Sequence, residues 1–329
     1  MPDTQNSEYI IEIDQLKKYF PIRKGFLQQV VGNVQAVDNV SFKIRHGETL
    51  GLVGESGCGK STLGRTLVGL YEPTSGSIQF NQQDITQLKG KKLKNVKKQM
   101  QMVFQDPFAS MNPRLHVSTI VGEPLIVHEK MGKQAQHDRV RELIEQVGLK
   151  PDCLDRYPHE FSGGQRQRIA IARSLALNPE FIVCDEPVSS LDVSIRAQII
   201  NLLQRLQNKY NLTYLFISHD LAVVRHISDR IAVMYVGKMV ESADRNEIYQ
   251  KPLHPYTKGL LNAIPIPDPA IERTRQKKEI KGDIPSPSRP PQGCRFHTRC
   301  PIAEKGLCDQ VEPDYREVEP RHWVACHLV

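Results

Sequence analysis

The sequence predicts an α/β fold. A P-loop core with a mostly parallel sheet carries a small antiparallel β subdomain, an inserted helical subdomain and a Pro/Cys-rich C-terminal extension. Three observations predict it. Apolar runs suited to buried strands alternate with segments of helical periodicity. One such run, Leu50-Gly51-Leu52-Val53, leads into Gly54-Glu55-Ser56-Gly57-Cys58-Gly59-Lys60-Ser61-Thr62, which fits G-x-x-x-x-G-K-[ST]. After about residue 250 the composition turns to proline and cysteine.

The elements follow in order. Residues 9–20 read as a first strand ending in aromatics, and Val40–Arg45 alternates as a half-buried antiparallel strand does. Leu50–Val53 reads as a buried parallel strand, and Ser61–Val68 as the helix after the loop. Pro73–Gly76 reads as a turn before strand Ser77–Phe80, so a small antiparallel sheet flanks the nucleotide strand. Lys89–Lys98 is strongly basic and reads as the exposed face of a short helix rather than a nucleic-acid surface. Met100–Gln105 reads as a core strand that Asp106-Pro107 breaks. From 115 to 176 the pattern is helical, with Val140, Leu143, Ile144 and Val147 at i, i+3, i+4 and i+7. The core resumes with strand Phe181–Cys184, helix Ile195–Leu206, and strands Thr213–Ile217 and Ile231–Tyr235. Prolines 252, 255, 265, 267, 269, 285, 287, 290 and 291 mark a loop-rich tail with one short helix near Tyr256–Ala263.

The 329 residues suffice for one large domain and a smaller one. Hydrophobic residues make up 39%, charged residues 25%, and mean hydropathy is −0.42, as in ordinary globular proteins. No stretch approaches the ~18 consecutive apolar residues of a membrane span. Met1–Asn6 is polar and lacks a signal pattern, so a cytoplasmic location is expected. The net charge of +7 suits anionic ligands or a lipid-proximal face, and equally a solvated surface.

The chemistry gathers around the loop. Its glycines let successive N–H groups turn toward one oxyanion, and the helix N-terminus adds partial positive charge. Lys60 can reach the β- and γ-phosphates, and the Ser61 hydroxyl can ligate Mg²⁺. An apolar run ends in Asp185-Glu186: an acid at a strand tip can hold Mg²⁺, and an adjacent one can polarise the attacking water. Ser218-His219-Asp220 ends the next strand, at the sheet edge where ligands gather. Standing alone, His219 would read as a capping or core histidine. Phe161-Ser162-Gly163-Gly164-Gln165-Arg166-Gln167-Arg168 opens a helix with free N–H groups and a hydroxyl, either a second anion-binding turn or a plain N-cap.

That last stretch resembles the signature motif of ATP-binding-cassette ATPases, and the other motifs match in order over residues 20–220. The resemblance implies ATP and Mg²⁺ as ligands. It makes Gln105 the glutamine that ligates Mg²⁺ and meets a membrane partner. Asp185 becomes the Mg²⁺-holding acid, Glu186 the general base and His219 the switch histidine. Ser190-Leu191-Asp192 resembles the D-loop. Phe20 is the aromatic expected to stack on adenine, with Tyr19 as the alternative. In that family two such domains pair head to tail, so Ser162, Gly163, Gly164 and Gln165 would serve the partner's nucleotide.

Val53–Lys60, Val103–Pro107 with Ser110–Arg114, and His254-Pro255-Tyr256-Thr257 resemble the ATPase subunits of bacterial dipeptide and oligopeptide importers, nearest in pattern to the dipeptide importer's second ATPase. This implies an ATPase body over 8–258 with a helical insertion at about 106–165, and an extension over 259–329. It also implies a sibling ATPase, two permeases and an extracytoplasmic peptide-binding protein, on the cytoplasmic face of the inner membrane. Relatives with similar ATPases carry nickel or other solutes. A soluble cassette ATPase acting on nucleic acid or ribosomes would usually fuse two cassettes or insert long coiled coils, and this chain has neither. A redox sensor with ATP secondary is opposed by the complete hydrolytic set.

Four of the seven cysteines crowd the tail as Cys294-x5-Cys300-x7-Cys308-x17-Cys326, which is not a C-x2-C zinc pattern. Disulfides are not expected in a reducing compartment. The resemblance favours a [4Fe–4S] cluster, with zinc or merely packed cysteines as alternatives. His297, His322 and His327 keep a mixed site open. Cys58 in the loop and Cys184 in a core strand are no ligands.

Overall fold

A computed structural model describes residues 8–26, 28–129, 131–264 and 280–329, and the predicted strands assemble there into two sheets. Met1–Asn6 and prolines 265, 267 and 269 lie outside the described residues.

β1 (Tyr9–Lys24) and β2 (Gln29–Arg45) form a long antiparallel hairpin. β3 (Thr49–Val53) enters the second sheet, and α1 (Lys60–Leu67) leaves the phosphate loop. β4 (Ser75–Phe80) and β5 (Gln83–Asp84) return to the first sheet, in the order β2-β1-β4-β5. Ser75 and Gly76, expected in a turn, are already part of β4, because Lys17 lies opposite Ser75. α2 (Gly90–Gln99) carries the basic run on its exposed face.

β6 (Met100–Val103) stops two residues short of its predicted end, because the parallel ladder with its neighbour ends at Val103. The helical segment contains α3 (Val117–Glu129), α4 (Lys133–Gln146), two single 3₁₀ turns and α5 (Gly163–Leu175). Then come β7 (Phe181–Asp185), α6 (Val193–Tyr210), β8 (Thr213–Ile217), α7 (Leu221–Ile227), β9 (Arg230–Tyr235), β10 (Lys238–Asp244), α8 (Arg245–Gln250) and α9 (Pro255–Asn262).

The tail is less loop-like than its prolines suggest. β11 (Arg316–Glu319) and β12 (His322–Val324) extend the second sheet, whose order is β11-β12-β10-β9-β3-β8-β7-β6. The stretch from β9 to β6 is parallel, and β10, β12 and β11 add antiparallel edges.

The parallel strands are buried on both faces, and their side chains alternate between two cores. Phe181, Val183, Leu215 and Ile217 face α1 and the antiparallel sheet, while Ile182, Cys184, Tyr214 and Phe216 face the helices. β3 has β8 on one side and β9 on the other, so the chain crosses in opposite directions around it. The crevice at such a switch point opens beyond the strand C-termini. The phosphate loop, Asp185 and His219 all lie at that edge.

Candidate active site

Packing leaves the loop no other backbone path. Gly54 (φ 151°) and Gly59 (φ 109°) lie in conformations that side chains rarely adopt. A Cβ at Gly54 would sit 2.1 Å from the Met234 carbonyl oxygen, and one at Gly59 2.0 Å from that of Ala36. Lys60 is buried, and its Nζ donates to the carbonyls of Gly54 (2.7 Å) and Glu55 (3.0 Å), which aims the ammonium across the loop. Lys60, Ser61 and Thr62 open α1, so their N–H groups have no intrahelical acceptor. The Ser56, Gly57 and Gly59 N–H groups likewise have no acceptor among the described hydrogen bonds.

Glu55 is held on both sides. Its N–H donates to the Tyr256 hydroxyl (2.9 Å), and Arg299 holds its carboxylate. It shapes the loop rather than offering a donor to phosphate. Cys58 is buried and carbonyl-bonded, and burial pushes its thiol up, so it is a packing residue.

The Ser61 hydroxyl donates to Asp185 Oδ1 at 2.7 Å. Asp185 is fully buried, and its Oδ2 has no hydrogen-bond partner. The nearest cation is Arg65, at 3.6 Å. Burial pushes the carboxyl pKa up, while Ser61 and Arg65 oppose that shift. A buried carboxylate oxygen with an open lone pair, beside a hydroxyl, suits a hard divalent cation, so these residues fit Mg²⁺.

One residue on, Glu186 has a left-handed backbone (φ 46°), and its N–H donates to the Ile217 carbonyl at 3.0 Å. Its carboxylate accepts from Gln105 Nε2 at 2.9 Å and lies 3.2 Å from His219 Nδ1. His219 is half exposed, so it is not a core histidine. Gln105, Glu186 and His219 therefore form one cluster beside the Ser61–Asp185 pair.

The signature turn serves as a cap and faces outward as well. Ser162 Oγ accepts from Gln165 N (3.4 Å) and Gln165 Oε1 from Ser162 N (3.0 Å), a reciprocal capping box on α5. Ser162, Gly163 and Gln165 are exposed, while Gly164 is buried against Ile195. No described hydrogen bond joins this turn to residues 54–62. Asp192 precedes α6 and is exposed beside Val193, which is 80% exposed. On β1, Phe20 packs edge-on to Tyr71 (5.3 Å), whereas Tyr19 donates its hydroxyl to Asp38.

The tail cysteines gather. Cys308 is buried and the other three half-buried. The Cys294 N–H donates to the Cys308 carbonyl at 2.8 Å. Burial pushes the Cys294 thiol up to about 11, with repulsion from Cys326, Cys300 and Cys308 adding to it. Burial also raises Cys300 and Cys326, with further repulsion from the other tail thiols. A bound cation would reverse that balance. No three of these sulfurs lie mutually within 4.8 Å. One ring nitrogen of each nearby histidine is engaged: His297 Nδ1 with the Cys294 carbonyl, His322 Nε2 with Glu241 and His327 Nε2 with the Val311 carbonyl. Sequence reasoning misses the Arg299–Glu55 and Arg295–Asp38 contacts, because separations of 244 and 257 residues leave no local signal.

The fold and site define a P-loop ATPase whose Ser162–Gln165 helix cap faces outward. Comparison with known proteins gives the family. Residues 37–189 match the family described as ABC transporter, and residues 240–308 match Oligopeptide/dipeptide transporter, C-terminal region. The chain is 57% identical over 324 residues to the Oligopeptide transport ATP-binding protein AppF of Bacillus subtilis (strain 168), covering 98% of each. It is 49% identical to the Oligopeptide transport ATP-binding protein OppF of Salmonella typhimurium (strain LT2), covering 98% of this chain and 97% of that one. A dimeric structure of the ATP-binding cassette MJ0796, in a post-hydrolysis state with ADP and Pi, matches with TM-score 0.64 at 27% identity, over 71% of this chain and 98% of that one. The cbiO1 structure from Clostridium perfringens, part of the cbiONQ transporter complex, matches with TM-score 0.64 at 26% identity, over 74% and 92%. This chain belongs to the ATP-binding-cassette ATPases, in the oligopeptide/dipeptide transporter group. Among the described residues, no helix is long and apolar enough to cross a membrane.

Proposed function

We propose that this chain hydrolyses ATP to power import of dipeptides or oligopeptides. It would work as a heterodimer with a sibling ATPase, on the cytoplasmic face of the inner membrane. Two permeases and an extracytoplasmic peptide-binding protein complete the machine. One observation carries this reading: Lys60, the Ser61–Asp185 pair and the Gln105–Glu186–His219 cluster converge at one sheet edge. The outward-facing Ser162, Gly163, Gln165 and Asp192 suit a second subunit, and the related cassette MJ0796 has been solved as a dimer. The relatives' names supply the peptide cargo.

Each residue has a task in this reading. The loop N–H groups and Lys60 bind the β- and γ-phosphates. Ser61, Asp185 and Gln105 would hold Mg²⁺, which would neutralise phosphate charge when bound. Glu186 takes a proton from the attacking water, and His219 holds Glu186 in place. Phe20 is the aromatic for adenine, its ring bounded by the Tyr71 edge and the Lys18 ammonium, while the Tyr19 hydroxyl is committed to Asp38. Residues 8–258 act as the ATPase body, about 106–165 as the permease-facing insertion, and 259–329 as the extension.

For the tail we favour a [4Fe–4S] cluster held by Cys294, Cys300, Cys308 and Cys326. The four thiols share one half-buried to buried region of the tail, and each of Cys294, Cys300 and Cys326 is raised by repulsion from its neighbours. Anaerobically purified protein should be brown, with absorbance near about 400 nm. Colourless protein with stoichiometric zinc would overturn this.

The test of the main reading is ATP turnover against subunit state. Full turnover is expected only when the chain pairs with a sibling ATPase. A chain held monomeric by dilution that still hydrolyses ATP at its full rate would sink it.

A further inference from the structure

Two arginines lie between the first two tail cysteines; Arg299 reaches the phosphate loop, and Arg295 reaches β2 and the turn after β9. Arg299 grips Glu55 with both arms of its guanidinium, Nη1 to Oε2 at 2.7 Å and Nη2 to Oε1 at 3.1 Å. Its side chain is 6% exposed. Nη1 also lies 3.4 Å from the Tyr235 hydroxyl. Arg295 is buried and donates to Asp38, to Gln35 Oε1 (2.7 Å) and to the Val236 carbonyl. Asp38 in turn receives the Tyr19 hydroxyl and lies 3.0 Å from Lys238. The backbone closes the circuit: Asp38 N donates to Gly237 O and Gly237 N to Cys58 O, both at 2.8 Å.

The segment between these arginines is itself pinned. Phe296 is 1% exposed, with its ring 5.2 Å from Tyr235 and 5.4 Å from Tyr256. Tyr256 is the residue whose hydroxyl accepts the Glu55 N–H. Glu55 is thus held at its backbone by α9 and at its carboxylate by the cysteine segment. It is also an anion inside a loop built to receive an anion. Left unpaired, that carboxylate would repel a triphosphate at short range. A planar fork suits this task better than a lysine ammonium.

We propose that Arg299, carried beside Cys300, is a positioning residue for ATP: it neutralises Glu55 and holds it off the triphosphate, so the cysteine module sets how strongly the phosphate loop binds nucleotide. This rests on the reading of residues 54–62 as the ATP loop. Its consequence is that a change at Cys300, the chain neighbour of Arg299, weakens ATP binding without touching a residue that contacts ATP.

The test is binding of a fluorescent ATP analogue to the full-length chain with Mg²⁺. Arg299→Ala is expected to weaken binding by about tenfold or more, since it leaves a partly buried charge uncompensated. Arg299→Lys should fall between that variant and wild type. Removing the stranded charge as well, in Glu55→Gln/Arg299→Ala, should recover most of the affinity, which loss of packing alone would not allow. Cys300→Ser should weaken binding in the same direction and add nothing in the Arg299→Ala background. Wild-type affinity in Arg299→Ala, or no recovery in the double variant, would overturn the role of Arg299. Wild-type affinity in Cys300→Ser would overturn the link to the cysteines. A wild-type chain that bound no nucleotide would overturn the reading of the loop itself, a separate failure.

Discussion

His219 Nδ1 lies 3.2 Å from one carboxylate oxygen of Glu186, and Gln105 Nε2 donates to the other oxygen at 2.9 Å. Both oxygens of the carboxylate proposed as the base are therefore held by side chains that follow two other strands. Glu186→Gln keeps the shape and removes the proton acceptor. Hydrolysis should fall by about 10²–10⁴-fold, the range for loss of a general base. ATP affinity should stay within a fewfold of wild type, because Glu186 does not touch the phosphate loop. Single-turnover hydrolysis beside equilibrium ATP binding checks both halves.

Asp185 should show its role through metal dependence. Its Oδ2 lacks a hydrogen-bond partner, while Oδ1 is engaged by Ser61. Asp185→Asn preserves the Ser61 contact and removes the charge. The Mg²⁺ concentration needed for half-maximal hydrolysis should rise by about 10–100-fold, as for lost metal-site partners. An unchanged Mg²⁺ titration would remove Asp185 from the cation site.

Motifs and periodicity make the chemistry and the parallel core legible, since each local pattern there carries its own constraint. The loop glycines, Asp185-Glu186 and His219 sit where strand-then-motif spacing places them. The C-terminal extension is legible only in part. β11 has four residues and β12 three, too short for an alternating pattern, and they become strands by pairing onto β10. The loop-shaping contacts of Glu55 are invisible in the sequence because its partners, Tyr256 and Arg299, are 201 and 244 residues away. Long-range pairing leaves no mark within a window of neighbours.

Gly59→Ala tests the loop's backbone. The residue sits at φ 109°, and its Cβ would meet the Ala36 carbonyl at 2.0 Å, where only main chain could yield. The strain should cost about 1–3 kcal/mol and turn the following N–H groups away from phosphate. ATP binding should be lost while far-UV circular dichroism stays near wild type. Wild-type ATP affinity in this variant would contradict the close approach of loop and Ala36 carbonyl.

His254 makes stability depend on pH. It is 1% exposed, and its Nδ1 accepts from the Tyr256 N–H at 3.0 Å, capping α9. Burial pushes the imidazole down to about 4 against the attraction of Glu241, and Lys258 adds to the fall. Phe296 covers the ring at 5.7 Å, and Glu241 is already engaged by His322 and by the N–H groups of Leu253 and His254. In the unfolded chain the same imidazole titrates near about 6.5. Between those two values the unfolded state holds the extra proton, so stability is complete above the upper one and is lost as pH falls toward the lower. The contribution is at most about 3 kcal/mol. His254→Asn can still cap the helix but cannot titrate. Urea midpoints for the two proteins should therefore differ most near neutral pH and converge on acidification. Parallel curves across that window would show that His254 is protonated alike in both states.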